Sequence, residues 1–184
     1  MTGFGNYGFG QQPFGLPHLV VPTKRGVFVS YHHDGDQTYY DTFSDTFNDT
    51  YEVIRDNSVD RKIDSEDPEY VMRRIREEYI AGTSCTIVLC GAMTPLRKYV
   101  DWEIKASLDK QHGLIGVNLP TNPPDSQNRA TVPNRLYDNW QSGYALWVQW
   151  NELSANNMRI WIEQANQKPS SSIRNDRPLR SRNG

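Results

Sequence analysis

The most chemically suggestive stretch of the chain is Arg97-Lys98-Tyr99-Val100-Asp101-Trp102-Glu103-Ile104. If it is helical, Tyr99 and Glu103 are four residues apart and share one face, while Val100 and Ile104 anchor a neighbouring face in the core. A carboxylate held beside aromatic rings is partly desolvated yet able to meet a ligand's hydroxyl groups. The same pattern also suits an amphipathic helix with a surface glutamate, so the spacing alone does not define an enzyme. A second polar cluster is Ser30-Tyr31-His32-His33-Asp34-Gly35-Asp36. It admits three readings: metal ligands, a loop whose aspartate caps the next helix, or a loop lining a nucleotide. No other His/Asp cluster has a clear metal spacing, and no metal is assigned. The chain lacks both GxxxxGK[ST] and a GxGxxG after its first strand, which excludes the common phosphate-cradling loops. Asp34 and Asp36 would repel a phosphate in a flavodoxin-type loop. No aspartate ends the third strand, as a phospho-receiver would require.

These residues need a scaffold, and the pattern supplies one by alternating strand and helix. Gly26-Val27-Phe28-Val29-Ser30-Tyr31 is an apolar, β-branched run of the kind found in a parallel strand covered on both faces. Residues 36–48 place Tyr39, Tyr40, Phe43 and Phe47 on one helical face. Tyr51-Glu52-Val53-Ile54 is a second strand. Asp67-Pro68 opens a helix with the stripe Val71, Met72, Ile75 and Tyr79, and Gly82 stops it. Cys85 to Cys90 is the central strand. Thr94-Pro95 starts a third helix on Val100, Ile104 and Leu108, followed by a strand at 113–119 and a proline-rich surface loop at 120–133. Tyr144, Leu146, Val148 and Trp150 alternate as a fifth strand, and residues 154–167 form the closing helix. The reading is an α/β, flavodoxin-like three-layer sandwich with a five-stranded, mainly parallel sheet in the order 2-1-3-4-5. Ligands of such sheets bind beyond the C-terminal strand edge, a crevice formed here by residues 30–36, 55–61 and 90–94.

The expected organisation is a flexible Gly/Phe-rich arm at 1–24, one domain at 25–168 and a loosely ordered basic tail at 169–184. Of the 184 residues, 36% are hydrophobic and 23% charged, a polar but globular composition. The net charge of −2 excludes a strongly basic nucleic-acid binder. The tail's Arg174, Arg177, Arg180 and Arg182 either grip phosphates, stay solvated, or pack on the domain's own acidic surface. No apolar run of about 18 residues suggests a membrane span, and the N-terminus lacks the pattern of a secretory signal. Cys85 and Cys90 lie five apart in one strand, roughly 17 Å from each other and on opposite faces. Free thiols and a reducing, cytoplasmic compartment follow as expectations.

Four motifs in order resemble a known family over residues 25–119. They are Val27-Phe28-Val29-Ser30-Tyr31-His32, Asp56-Asn57-Ser58, Cys85-Thr86-Ile87-Val88-Leu89-Cys90-Gly91, and the helix carrying Tyr99 and Glu103. Together they are similar to the TIR-like domains related to the NAD-consuming, ThsB-type subunit of the Thoeris anti-phage defence system. The resemblance implies a TIR-like fold and an NAD+ glycohydrolase or ADP-ribosyl cyclase, with NAD+ as substrate and no cofactor. Glu103 would be the catalytic carboxylate. Ser30, Tyr31, His32, Asp56, Arg61, Tyr99 and Trp102 would bind substrate, with Arg61, and secondarily Arg55, reaching the pyrophosphate. It further implies self-association through TIR-type contacts and an effector that senses the product. The chain departs from many catalytic relatives in having Tyr99 where they have tryptophan four residues before the glutamate. The alternative is a non-catalytic TIR-type interaction module.

Overall fold

A computed structural model describes residues 25–55, 65 and 67–184. The elements run β1 (Gly26–Ser30), α1 (His33–Phe47), β2 (Glu52–Arg55), α2 (Pro68–Arg74), β3 (Thr83–Cys90), α3 (Lys98–Asp109), β4 (Gly113–Asn118), α4 (Asn134–Gln141), β5 (Leu146–Gln149) and α5 (Ala155–Asn166). A π-helical turn, Ile75–Tyr79, extends α2. The strands form one sheet in the order β2-β1-β3-β4-β5, and every pairing is parallel. Among the described residues, no helix is long and apolar enough to cross a membrane.

Side-chain alternation along the strands builds two cores. Val27, Val29, Cys85, Ile87, Ile115 and Val117 face the layer of α1 and α5, where they meet Tyr40, Phe43, Phe47, Met158 and Ile162. On the other face, Phe28 meets Val71 and Met72 of α2 and Trp102 of α3. Val88 and Cys90 meet Val100, Ile104 and Leu108 of α3 and Leu136 of α4. The two cysteines are free and buried on opposite faces. Burial pushes the Cys85 thiol up to about 12 and raises Cys90 as well.

Four local expectations need correction. Helix α1 begins at His33, three residues before the expected start, and its N-cap His32 makes no capping side-chain bond. Asp36 is therefore inside the first turn. It is buried, accepts hydrogen bonds from Thr94 (3.2 Å) and Thr121 (2.8 Å), and packs against Gly91, where any Cβ would collide with the carboxylate. Thr94-Pro95 does not open α3. It forms a separate 3-10 turn, Thr94–Leu96, because the Thr94 hydroxyl is engaged by Asp36 and by the Gly91 N–H (2.9 Å). The fifth strand is confined to Leu146–Gln149, with Trp150 already in a 3-10 turn. By contrast, Asp67 accepts from the Glu69 N–H as the Asp-Pro start predicts.

The fourth correction is that the C-terminal segment is not loosely ordered but built into the domain against α4, a helix absent from the sequence reading. Arg177 packs on the acidic Asp138, as one of the tail's three readings has it. Arg135 of α4 is fully buried and forms a two-point ion pair with Asp101 of α3. Its remaining N–H groups reach the side chain of Asn175 (3.0 Å) and the carbonyls of Arg177 and Pro178 (3.1 Å each). Asp101 also accepts the Arg180 N–H at 2.9 Å. The Arg180 carbonyl receives the indole N–H of Trp102 at 2.8 Å, and the Gly184 N–H reaches the Leu96 carbonyl. Thus the segment straps α4 to α3. The expected arm at 1–24 lies outside the described residues.

Two predictions follow from these buried groups. Arg135→Leu removes one partner of a desolvated ion pair, so it lowers the unfolding free energy by about 3–5 kcal/mol in urea titrations; a loss below 1 kcal/mol would contradict the strap. The second concerns His112, whose Nδ1 lies 3.3 Å from the Thr83 hydroxyl. Burial, aided by the Lys110 charge, pushes it from 6.5 down to about 4. The unfolded chain binds this proton near 6.5 and the folded chain only near 4. Stability from neutral His112 is therefore complete above the unfolded value and lost as pH falls between the two. Urea midpoints of His112→Gln fall less over that interval than those of the wild type; parallel curves would refute the assignment.

Candidate functional site

Strand alternation decides what meets Glu103. Phe28 and Ser30 point to the α3 face of β1, whereas Val29 and Tyr31 point to the α1 face. At the C-terminal strand edge, the Ser30 hydroxyl donates to Glu103 Oε2 at 2.6 Å, and both residues are fully buried. Helix α3 is held in register by a second polar thread. Thr86 donates to the Ser107 hydroxyl (2.7 Å), which donates to the Glu103 carbonyl (2.7 Å). Val100 and Ile104 flank Glu103 and sink into the core, so the helix cannot turn the carboxylate outward without exposing them.

Glu103 lines a narrow cleft with Tyr31, His32, His33, Arg97 and Tyr99. The cleft encloses about 10 Å³, room for about one water. The Tyr31 ring stacks on Tyr40 with centroids 4.6 Å apart. Its hydroxyl donates to Gln37 at 2.9 Å and lies 3.0 Å from His33 Nδ1. These contacts fix one wall. Tyr99 and Arg97, both half-buried, form the other.

Of the expected site residues, Ser30, Tyr31, His32, Tyr99 and Glu103 converge here. Trp102 does not: its ring packs with Phe28, Ile75 and Ala106, and its N–H is bound by the Arg180 carbonyl. It is a core residue, because it occupies a different helical face from Glu103. The 90–94 loop also turns away from the cleft, drawn toward Asp36 by Thr94. Asp56 and Arg61, with Asn57 and Ser58, lie outside the described residues. Arg97 was given no role on sequence, yet it borders the cleft; its place immediately before the Glu103 helix is the signal that could have found it. Among the described residues, no group of three or more His, Cys, Asp or Glu side chains could hold a metal.

The parallel sheet, its helical covers and the acidic group at its C-terminal edge define a doubly wound α/β domain with an aromatic-lined carboxylate cleft. The family described as Thoeris protein ThsB, TIR-like domain, matches residues 28–124, and the chain belongs to that family. No curated protein matches the chain.

The Ser30–Glu103 contact has a measurable signature. A double-mutant cycle of Ser30→Ala and Glu103→Gln on urea stability yields a coupling energy of about 1 kcal/mol or more. Additive effects would show that the serine does not position the carboxylate.

Proposed function

We propose that this domain cleaves the nicotinamide–ribose bond of NAD+, with Glu103 as the catalytic carboxylate, to produce a signal in anti-phage defence. The observation that carries the reading is a buried glutamate at the C-terminal sheet edge, aimed by a serine into a cleft walled by aromatic rings. Breaking this bond develops positive charge at the anomeric carbon, as in other glycoside cleavages. Nicotinamide departs neutral and is already a good leaving group. The chemistry therefore calls less for a strong acid than for a fixed negative charge beside the ribose, acting where water is scarce. Glu103 supplies that charge and Ser30 orients it, while Tyr99 and Tyr31 shape the ribose site. Attack by water gives ADP-ribose; attack by another hydroxyl of the same molecule gives a cyclic isomer, which an effector would sense.

The closed cleft demands a step before chemistry. Tyr31 is pinned by Tyr40 and Gln37, so the half-buried Arg97 and Tyr99 are the side chains that move to admit a ribose. Self-association through TIR-type contacts would supply a reason for them to move. A second reading, a non-catalytic interaction module, is favoured by the same burial, since a fully enclosed glutamate bonded to serine also serves as a structural brace.

NAD+ loss in cells expressing the wild type or Glu103→Gln separates the two. The enzyme reading expects depletion by the wild type during phage challenge and a fall of about 100-fold or more in the folded variant. Equal depletion by both proteins would remove Glu103 from the chemistry, and none by either during challenge would favour the module.

A further inference from the structure

A second concavity adjoins the Glu103 cleft, and three of the tail arginines that the sequence left free to grip phosphates line it. It lies where the C-terminal strap crosses the start of α3 and α4, and it encloses about 370 Å³, a volume typical of small-ligand sites. Arg97, Arg177, Arg180 and Arg182 line it, and Asp101 contributes the acidic group. Asp101 is already neutralised by Arg135 and by the Arg180 N–H. Arg177 is held by both oxygens of Asp138. Arg97, Arg180 and Arg182 form no ion pair among the described residues. The Arg180 side chain is aimed by a 3.1 Å bond to the Arg182 carbonyl. Arg97 Nε is shielded from solvent and has no hydrogen-bond partner among the described residues, a condition that a bound anion would relieve. Arg97 also lines the Glu103 cleft, so the two concavities share a wall.

We infer that this pocket is an anion site that holds the diphosphate of a nucleotide whose sugar enters the Glu103 cleft. The destination of the sugar rests on the NAD+ reading above; diphosphate binding stands on the pocket alone. Guanidinium groups suit the diphosphate because each can offer paired, parallel N–H donors to phosphate oxygens. No aromatic ring lines the pocket, so nothing in it would stack a base. Recognition here is by charge, and Arg97 is placed to bridge a phosphate on one side and the reacting ribose on the other.

Calorimetric titration of the full chain with ADP, inorganic pyrophosphate and adenosine tests the inference. ADP and pyrophosphate bind, weaken as salt is raised, and lose about tenfold or more in affinity with Arg97→Gln or with Arg180→Gln/Arg182→Gln; adenosine does not bind. Arg97→Lys recovers only part of the affinity. Urea titrations establish that each variant is folded, and Arg182→Gln alters an exposed side chain, so at least one arm does not depend on the core. Adenosine binding as tightly as ADP, full ADP affinity in the folded variants, or no binding of either phosphate ligand would overturn the site. ADP binding by a wild type that never consumes NAD+ would sustain the site and strike the enzyme reading. NAD+ consumption without ADP or pyrophosphate binding would do the reverse.

Discussion

The buried ion pair between Arg135 and Asp101 is the constraint on which the placement of the carboxylate depends. A guanidinium with no solvent contact must have its donors satisfied from within. Here Asp101 takes one edge, and the Asn175 side chain with the carbonyls of Arg177 and Pro178 takes the rest. That requirement fixes the distance between α3 and α4 and draws the C-terminal segment across both. Because Asp101 lies two residues before Glu103 on the same helix, the pair sets the helix position from the side opposite Ser30. The Thr86–Ser107 thread sets it from below. A carboxylate held from these directions does not wander, which is the meaning of preorganisation at an electrostatic site.

The apolar rhythm of the chain carried the sheet and its large helices. β1 and β3 are continuous apolar runs because both of their faces are covered, and α1 and α3 repeat their hydrophobic residues every three or four positions. Val100 and Ile104 tell which way α3 faces, but spacing alone leaves Glu103 open between a surface residue and a site residue, and its catalytic role comes only from the resemblance. Helix α4 was not legible: its inward positions are Arg135, Leu136 and Asn139, so a search for an apolar stripe passes over it. The strap was legible only in part: its packing on the domain's acidic side chains was one of three readings, and Arg177 does pair with Asp138, but its ordered path was not foreseen. Its serines, asparagines and arginines look like a solvated tail, whereas its backbone carbonyls, invisible in side-chain composition, hold Arg135 and Trp102. Trp102 lies on a different helical face from Glu103, as helix geometry requires of neighbours, and its packing against Phe28 and its bond to the Arg180 carbonyl keep it out of the cleft.

Ser30 and Tyr31 illustrate how finely a strand divides labour. One residue apart, they leave β1 on opposite sides of the sheet, and each is committed to a different layer. The serine reaches the acidic helix, while the tyrosine joins the aromatic packing of α1 and closes the cleft from that side. A shift of one residue in the β1–β3 register would exchange the two and dismantle the site.

The strap also bears on the order in which the molecule matures. The groups that complete the shell of Arg135 come from residues about forty positions downstream, whereas Asp101 precedes it, so a growing chain leaving the ribosome holds this cation by its acidic partner alone until they emerge. At about 5–20 residues per second, that interval lasts a few seconds. Only afterwards can the acidic helix make its contacts with the strap, the Trp102 N–H to the Arg180 carbonyl and the Arg180 N–H to Asp101. The strap's contacts with the acidic helix, through Asp101 and Trp102, are thus among the last that the chain can make.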